Sequence, residues 1–206
     1  MTAQDLITKT LQTLGVVAAG ETPATEELSD GLVALNDLIE SWSAQGLPIP
    51  QLTRVELALT GAASYNLVTR ALLIKAVAVV NDGLQTPYEV VDATVWAAGD
   101  RNRVLWYDGG YPTGVIRLRP SPSAGSLEMY SYHALTPLAT LATVIALPPG
   151  YQRGLRFGLV ADLAPEYGRV LDDALIGLAN DAKLAIQGLN RALLGPVVPP
   201  APGQTA

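Results

Sequence analysis

The sequence predicts an α+β fold, with helices near both ends of the chain and a β domain between them. Apolar residues recur at steps of three and four in 1–50 and 146–194, the spacing of helices that bury one face. In 51–145 apolar residues alternate with polar ones between turn signals, which is typical of antiparallel strands. Proline accumulates in 195–206 and favours extended backbone. We therefore expect one helical bundle, a central and mainly antiparallel β domain, and an extended C-terminal arm.

The segment before residue 47 is expected to form a helical hairpin. In its first helix, over 3–19, the side chains that share a face are Leu6, Ile7, Leu11 and Leu14. In its second helix the corresponding face comprises Leu28, Leu32, Leu35, Ile39 and Trp42. Thr22 followed by Pro23 is a favourable pair for the N-cap and first turn, so we expect the second helix to begin there.

The β domain is expected to contain short strands separated by turns. The predicted strands cover 53–59, 64–68, 72–80, 88–91, 104–107, 115–119 and 127–133. Turn residues stand at 81–83, 108–110 and 120–125. A short helical stretch, 92–98, is predicted with Asp92 as its cap.

A helix over 150–164 is apolar around almost its whole circumference. The proline pair before Gly150 and the proline after Ala164 delimit it. Gly154, Gly158 and Ala161 share one side, and each interior glycine costs about 1 kcal/mol relative to alanine. We expect another backbone to approach these glycines closely. The helix is then either the centre of a monomeric core or wedged between its own bundle and a neighbouring subunit.

The last helical segment repeats the four-and-three spacing. Its predicted apolar seam consists of Leu171, Leu175, Leu178, Ala182, Ala185 and Leu189. We expect this seam to pack against the N-terminal hairpin.

Composition narrows the classes of function. Hydrophobic residues make up 49% of the chain and charged residues 16%, so much surface must be buried, some of it against partners. The absence of cysteine excludes disulfides and thiol catalysis, and the single His133 leaves little for zinc; no metal or cofactor is expected. The net charge of −6, with scattered basic residues, argues against a dedicated nucleic-acid site. The N-terminus does not resemble a signal peptide, and no apolar run is long enough to span a membrane.

Two arrangements could support catalysis, and we favour a non-catalytic interpretation of both. Ser131 and His133 share one face of a strand, but no acidic partner or nucleophile-elbow motif accompanies them; we interpret His133 as a surface or interface residue. Paired carboxylates, the groups that glycosidases use, stand at Glu26 and Glu27, Asp37 and Glu40, and Asp172 and Asp173. They lie beside apolar helical seams, where acidic residues usually form the solvated face.

Three stretches together resemble one protein family over most of the chain. They are DLITKTLQTLGVVAAGETPATEELSDGLVALNDLIESWSAQGL (5–47), GGYPTGVIRLRPSPSAGSLEMYSY (109–132), and LPPGYQRGLRFGLVADLAPEYG (147–168) followed by ALIGLANDAKLAIQGLN. In this order they resemble the head-to-tail adaptor (connector) proteins of tailed bacteriophages. The family is related to the tail accessory factor, or packaged-DNA stabilisation protein, of short-tailed phages.

The resemblance implies a structural virion protein, not an enzyme. It implies a homo-oligomeric ring, commonly of twelve subunits, that assembles in the host cytoplasm and docks on the portal protein after DNA packaging. The ring would extend and help seal the channel through which the packaged DNA passes, without sequence-specific binding, and would provide the platform for a downstream tail or nozzle protein. The alternatives are a virion-associated cell-wall hydrolase that uses a carboxylate pair, and a monomeric assembly factor absent from the virion.

Three groups of residues are candidates for these contacts, the helix and the basic residues from their own pattern and the arm from the resemblance. The helix that packs between subunits would do so through Gly154, Phe157, Gly158 and Ala161. The arm that contacts the portal would include Pro196, Val197, Val198, Pro199 and Pro200. The basic residues of the β domain, which form either an ordinary solvated face or an interface or channel surface, are Arg101, Arg103, Arg117 and Arg119.

Overall fold

The computed structural model describes residues 1–194 and divides the chain into two compact units. Among the described residues, the helical unit comprises Met1–Ile49 and 135–194, and the β unit comprises Pro50–Ala134. We expected 135–145 in the β domain, but this segment lies in the helical unit. The reason is that Asn36 pairs with the backbone of Leu138, donating to its carbonyl at 3.1 Å and accepting from its N–H at 2.7 Å. Leu138 is itself buried in the helical core.

Five helices lie within residues 1–194. They are α1 (Ala3–Thr13), α2 (Thr25–Ala44), α3 (Ala93–Ala98), α4 (Tyr151–Leu163) and α5 (Asp173–Leu194). In the helical unit, α4 packs against α1, α2 and α5, and Leu155, Leu159 and Leu163 of α4 are fully buried. No helix in this part of the chain is long and apolar enough to cross a membrane.

Local hydrogen bonds determine where the first two helices begin and end. Thr2 caps α1: its hydroxyl accepts from the N–H of Asp5 at 3.1 Å, and the Asp5 carboxylate accepts from the N–H of Thr2 at 2.8 Å. These hydrogen bonds lower the pKa of Asp5. The prediction that α1 reaches residue 19 was wrong, because the backbone turns at Gly15, whose φ is +67°.

The prediction that α2 begins at Thr22 and Pro23 was also wrong. The helix begins at Thr25 after Ala24, which is extended. Alanine has no side chain that can cap a helix, so the carboxylate of Glu27 accepts the Ala24 N–H at 2.8 Å instead. The start of α2 is therefore held by the acidic residue of its first turn, which binds the N–H of the N-cap residue, and not by a threonine cap.

The β unit is one mixed sheet of seven strands in the described chain. The strands are β1 (Pro50–Ala58), β2 (Tyr65–Asn66), β3 (Leu73–Asn81), β4 (Leu84–Val91), β5 (Val104–Asp108), β6 (Val115–Arg119) and β7 (Ser126–Ala134), in the order β1-β7-β3-β4-β5-β6-β2. Neighbouring strands are antiparallel except β4 and β5. That pair is parallel because α3 carries the chain back between them. The α+β class is thus confirmed, with one parallel pair in the mainly antiparallel sheet.

Two local predictions in the β unit are confirmed. Asp92 caps α3, because its carboxylate accepts from the N–H of Val95 at 2.9 Å. The turn between β3 and β4 contains Asp82 and Gly83 with φ of 48° and 79°, the left-handed pair that a tight hairpin requires.

Candidate functional site

The glycine side of α4 packs against side chains of the same unit. A Cβ placed on Gly158 would lie 2.8 Å from Cζ2 of Trp42 and 3.2 Å from Cδ2 of Leu38, both on α2. A Cβ on Gly154 would collide with the side chain of Ile186 on α5. The expectation of a close backbone neighbour was therefore wrong: the space that the glycines leave is filled by a tryptophan, a leucine and an isoleucine.

The other flank of α4 is partly exposed and carries positive charge. Phe157 is half-buried there. The guanidinium carbons of Arg153 and Arg156 lie 5.8 Å and 5.5 Å from the centre of the Phe157 ring, within the range of cation–π interactions. Arg156 is also held by Thr13, whose hydroxyl accepts from its Nη2 at 2.6 Å. Of the four residues proposed for subunit packing, the two glycines therefore contact side chains of α5 and α2. Ala161 is half-buried on the glycine side, and Phe157 is half-buried on the charged flank.

Helix α5 buries few of its apolar residues. Its buried residues are Ala182, Ile186 and Asn190, spaced by four. The predicted seam shares only Ala182 with this row. Because α5 packs mainly on α4, one narrow row suffices, and Leu184 on the far side is 62% exposed.

A buried polar pair, which no sequence pattern predicted, joins α5 to α4. The hydroxyl of Tyr151 donates to Oδ1 of Asn190, and Nδ2 of Asn190 donates to the carbonyl of Pro48 at 3.0 Å. Burial raises the pKa of Tyr151, so its hydroxyl stays protonated and available as the donor. Asn190 continues the row of Ala182 and Ile186 at a spacing of four. This spacing is the one signal in the sequence that could have indicated its burial.

The outward face of α2 is acidic. It carries Glu26, Asp30, Asp37 and Glu40, all exposed, and no basic residue occurs in the helix. Burial raises the pKa of Tyr167, and the nearby carboxylates of Glu27 and Asp30 raise it further. Within residues 1–194 no cation forms an ion pair with this face, so the negative charge of its carboxylates is not neutralised.

The four arginines of the β unit have different environments. Arg101 forms an exposed ion pair with Glu89 at 3.0 Å, and Arg103 has a left-handed φ of 58°. Arg117 and Arg119 share the β6 face, as predicted, and stack on indole rings. The prediction that the four form one basic surface therefore needs refinement, because the structure brings only Arg117 and Arg119 into one cluster.

That cluster is a stack of two arginines and two tryptophans. The rings of Trp96 on α3 and Trp106 on β5 lie 6.1 Å apart. Arg119 lies 4.3 Å from the Trp96 ring and Arg117 4.7 Å from the Trp106 ring. Nη2 of Arg119 donates to the carbonyl of Trp96 at 3.1 Å, so this side chain fixes the end of α3. Periodicity does not predict this pair of tryptophans, because they lie on different elements.

Ser131 and His133 are in contact, but in the interior. Oγ of Ser131 lies 2.8 Å from Nε2 of His133, and Nδ1 of His133 lies 3.2 Å from the carbonyl of Arg70. If Nδ1 donates to this carbonyl, Nε2 is left as the acceptor for the serine hydroxyl. Ser131 is fully buried and His133 is 9% exposed. The interpretation of His133 as a surface or interface residue was therefore wrong, and the pair satisfies its own hydrogen bonds in the core.

The three carboxylate pairs lie on the helical unit, and two of their members serve helix ends. Glu27 caps α2, as described above, and Asp172 caps α5 by accepting from the N–H of Leu175 at 2.7 Å. Within residues 1–194 the structure contains no group of three or more acidic or histidine side chains placed to hold a metal ion. The portal-contacting arm that we predicted at 196–200 lies outside the described residues.

Comparison with known proteins adds one finding. A family model described as SU10 adaptor protein matches residues 1–199. No curated protein matches the chain. The matched range includes both units of the structure.

Proposed function

The chain belongs to the SU10 adaptor protein family, and from this premise we propose that it is a ring-forming head-to-tail connector. The family is one of phage adaptors, which points to a structural virion protein that interacts with the portal and tail proteins. In the proposed role, subunits form a ring, commonly of twelve, that docks on the portal after DNA packaging. The ring extends and helps seal the DNA channel, and the tail attaches to its far side. We also propose a relationship to the tail accessory factors of short-tailed phages.

The observation that carries the proposal is the extent of the family match. It covers both units and 199 of the 206 residues, so neither unit stands outside the family. This coverage favours a role in which the whole chain, helical unit and β unit together, serves as the adaptor.

The surface of α5 supports a role in protein contacts. Leu184, Ile176 and Leu189 are 62%, 43% and 37% exposed on a helix with only three buried residues. The three side chains point in different directions around α5, and covering any of them in an assembly would bury apolar area. We propose that these side chains are covered in the virion.

The proposed work is mechanical and involves no covalent chemistry. The side chains closest to a catalytic dyad, Ser131 and His133, are buried and paired with each other, which leaves no room for a substrate at the serine oxygen. Two carboxylates of the proposed pairs, Glu27 and Asp172, serve helix starts. Both observations favour a connector over the alternative of a cell-wall hydrolase.

Electron microscopy tests the proposal. The purified full-length protein is imaged alone and after mixing with the portal protein of the same phage, and we expect closed rings coaxial with the portal. Rings that appear only on the portal also support the role. A protein that stays monomeric and never binds the portal contradicts it, as does absence of the protein from purified virions.

A further inference from the structure

We propose that the outward face of α2 in one subunit docks on the arginine-flanked surface of α4 in the next copy. This inference rests on the proposed ring and specifies its subunit contact. We call the first surface the acidic face (Glu26, Asp30, Val33, Asp37, Glu40) and the second the arginine patch (Arg153, Arg156, Phe157). The occupant of the acidic face is thus a second copy of this chain.

The acidic face carries four exposed carboxylates around one exposed apolar side chain. Leu35 and Trp42 point into the core, so the residues half a turn away point outward. At the centre of that side Val33 is 59% exposed, between Asp30 and Asp37. Four carboxylates on one helix repel one another, and within the described chain no lysine or arginine forms an ion pair with them. A cationic partner would remove this repulsion and could cover Val33.

The arginine patch has the same organisation with the opposite charge. Its centre is the half-buried ring of Phe157, and the two guanidinium groups lie within 6 Å of that ring. Arg153 is exposed, and within residues 1–194 its guanidinium has no hydrogen-bond or ion-pair partner. The patch therefore offers an apolar centre and cations to a surface with an apolar centre and anions.

The acidic face and the arginine patch lie on different sides of one subunit, so they can meet only between copies. The glycine side of α4 already packs on the inner side of α2 through Trp42 and Leu38. The acidic face points away from this contact, so it cannot reach the arginine patch of its own subunit. Two different surfaces in contact make a head-to-tail interface, and such an interface closes into a ring when the rotation between copies permits. A contact between these two surfaces would therefore be of the head-to-tail kind from which the proposed ring can close.

A charge-swap experiment tests the contact. One variant carries Asp30→Lys and Asp37→Lys, a second carries Arg153→Glu, and a third carries all three changes. Ring formation is measured by analytical ultracentrifugation and electron microscopy, alone and with the portal protein. We expect each of the first two variants to weaken assembly by about tenfold or more, because like charges then face each other across the contact. We expect the third to regain most of this loss, and added salt to weaken the wild-type ring.

Matched controls distinguish the contact from general effects of charge. Glu56→Lys combined with Asp100→Lys, and separately Lys75→Glu, reverse the same numbers of exposed charges in the β unit. We expect these controls to leave assembly within about twofold, as distant surface changes usually do. Circular dichroism verifies that every variant is folded.

The outcomes separate this inference from the proposed function. Rings that form normally in both charge-reversed variants overturn the contact and leave the connector role standing. Loss of assembly in a folded triple variant also overturns the contact. Loss of portal binding with normal ring formation also overturns the contact, because the portal would then be the partner of the acidic face. If the wild-type protein forms no ring, even with the portal protein, the proposed function and this inference both fail.

Discussion

Replacing Gly158 with alanine tests whether Trp42 sets the limit on side-chain size in the middle of α4. The added methyl would lie 2.8 Å from Cζ2 of Trp42 and 3.2 Å from Cδ2 of Leu38, closer than ordinary carbon contacts. Both neighbours are buried, so neither can swing into solvent. The tryptophan ring must shift within a packed core if the methyl is to fit.

The expected magnitude follows from two opposing terms. Overpacking a core by one methyl typically costs about 1–3 kcal/mol. Alanine in place of glycine inside a helix contributes about 1 kcal/mol of stability. Gly158→Ala should therefore lower the free energy of unfolding by about 0–2 kcal/mol. The same change at Gly188 on α5, where an added Cβ meets nothing within 4 Å, should raise it by about 1 kcal/mol.

Urea unfolding followed by far-UV circular dichroism measures the difference between these two variants. The helix-propensity term cancels in that difference, which leaves about 1–3 kcal/mol for the contact with Trp42. A third variant, Gly158→Ala combined with Trp42→Phe, should show a smaller cost for the alanine because the smaller ring leaves room. Equal stability of the two alanine variants would refute the argument that Trp42 requires glycine at 158.

Three further predictions concern polar groups. Asn190→Ala leaves the Tyr151 hydroxyl and a backbone carbonyl without their buried partner, and we expect a loss of about 2–4 kcal/mol in urea unfolding. Arg119→Ala removes the guanidinium that stacks on Trp96 and holds its carbonyl, so near-UV circular dichroism of the tryptophan pair should weaken, with a loss of about 1–2 kcal/mol. Asp5 has a lowered pKa in the folded state, so its contribution is complete above the unfolded value of 3.8 and is lost as the pH falls through the folded value. In unfolding measured against pH, Asp5→Asn should therefore be less stable than the wild type at neutral pH and equal to it in strong acid.

Controls for these variants lie on the same units. Asn180 is exposed on α5, so Asn180→Ala should change stability by less than about 0.5 kcal/mol. Arg101→Ala breaks only an exposed ion pair with Glu89 and should stay within about 1 kcal/mol of the wild type. An Asn190 or Arg119 variant as mild as its control would contradict the role we give to that side chain. A stability difference for the Asp5 variant that does not depend on pH would contradict the capping argument.

Patterns that depend on neighbouring residues were readable from the sequence. The inward row of α2, including Leu28, Leu35 and Trp42, followed from spacing alone and is buried in the structure. The cap at Asp92 and the turn at 81–83 also followed from local chemistry. The start of α2 did not, because several acceptors in 22–27 compete for the first N–H groups and a difference of a few tenths of a kcal/mol decides among them.

Periodicity and residues close together in the chain were enough to predict the α+β class and most apolar faces of the helices, and they carried the resemblance to phage adaptors. Tertiary structure alone decided what fills the space beside Gly158, which α5 row is buried, and that Trp96 and Trp106 stack. It also decided that Ser131 and His133 lie in the core. Each of these depends on packing between elements distant in sequence, and periodicity shows that a face is apolar but not which residue will cover it.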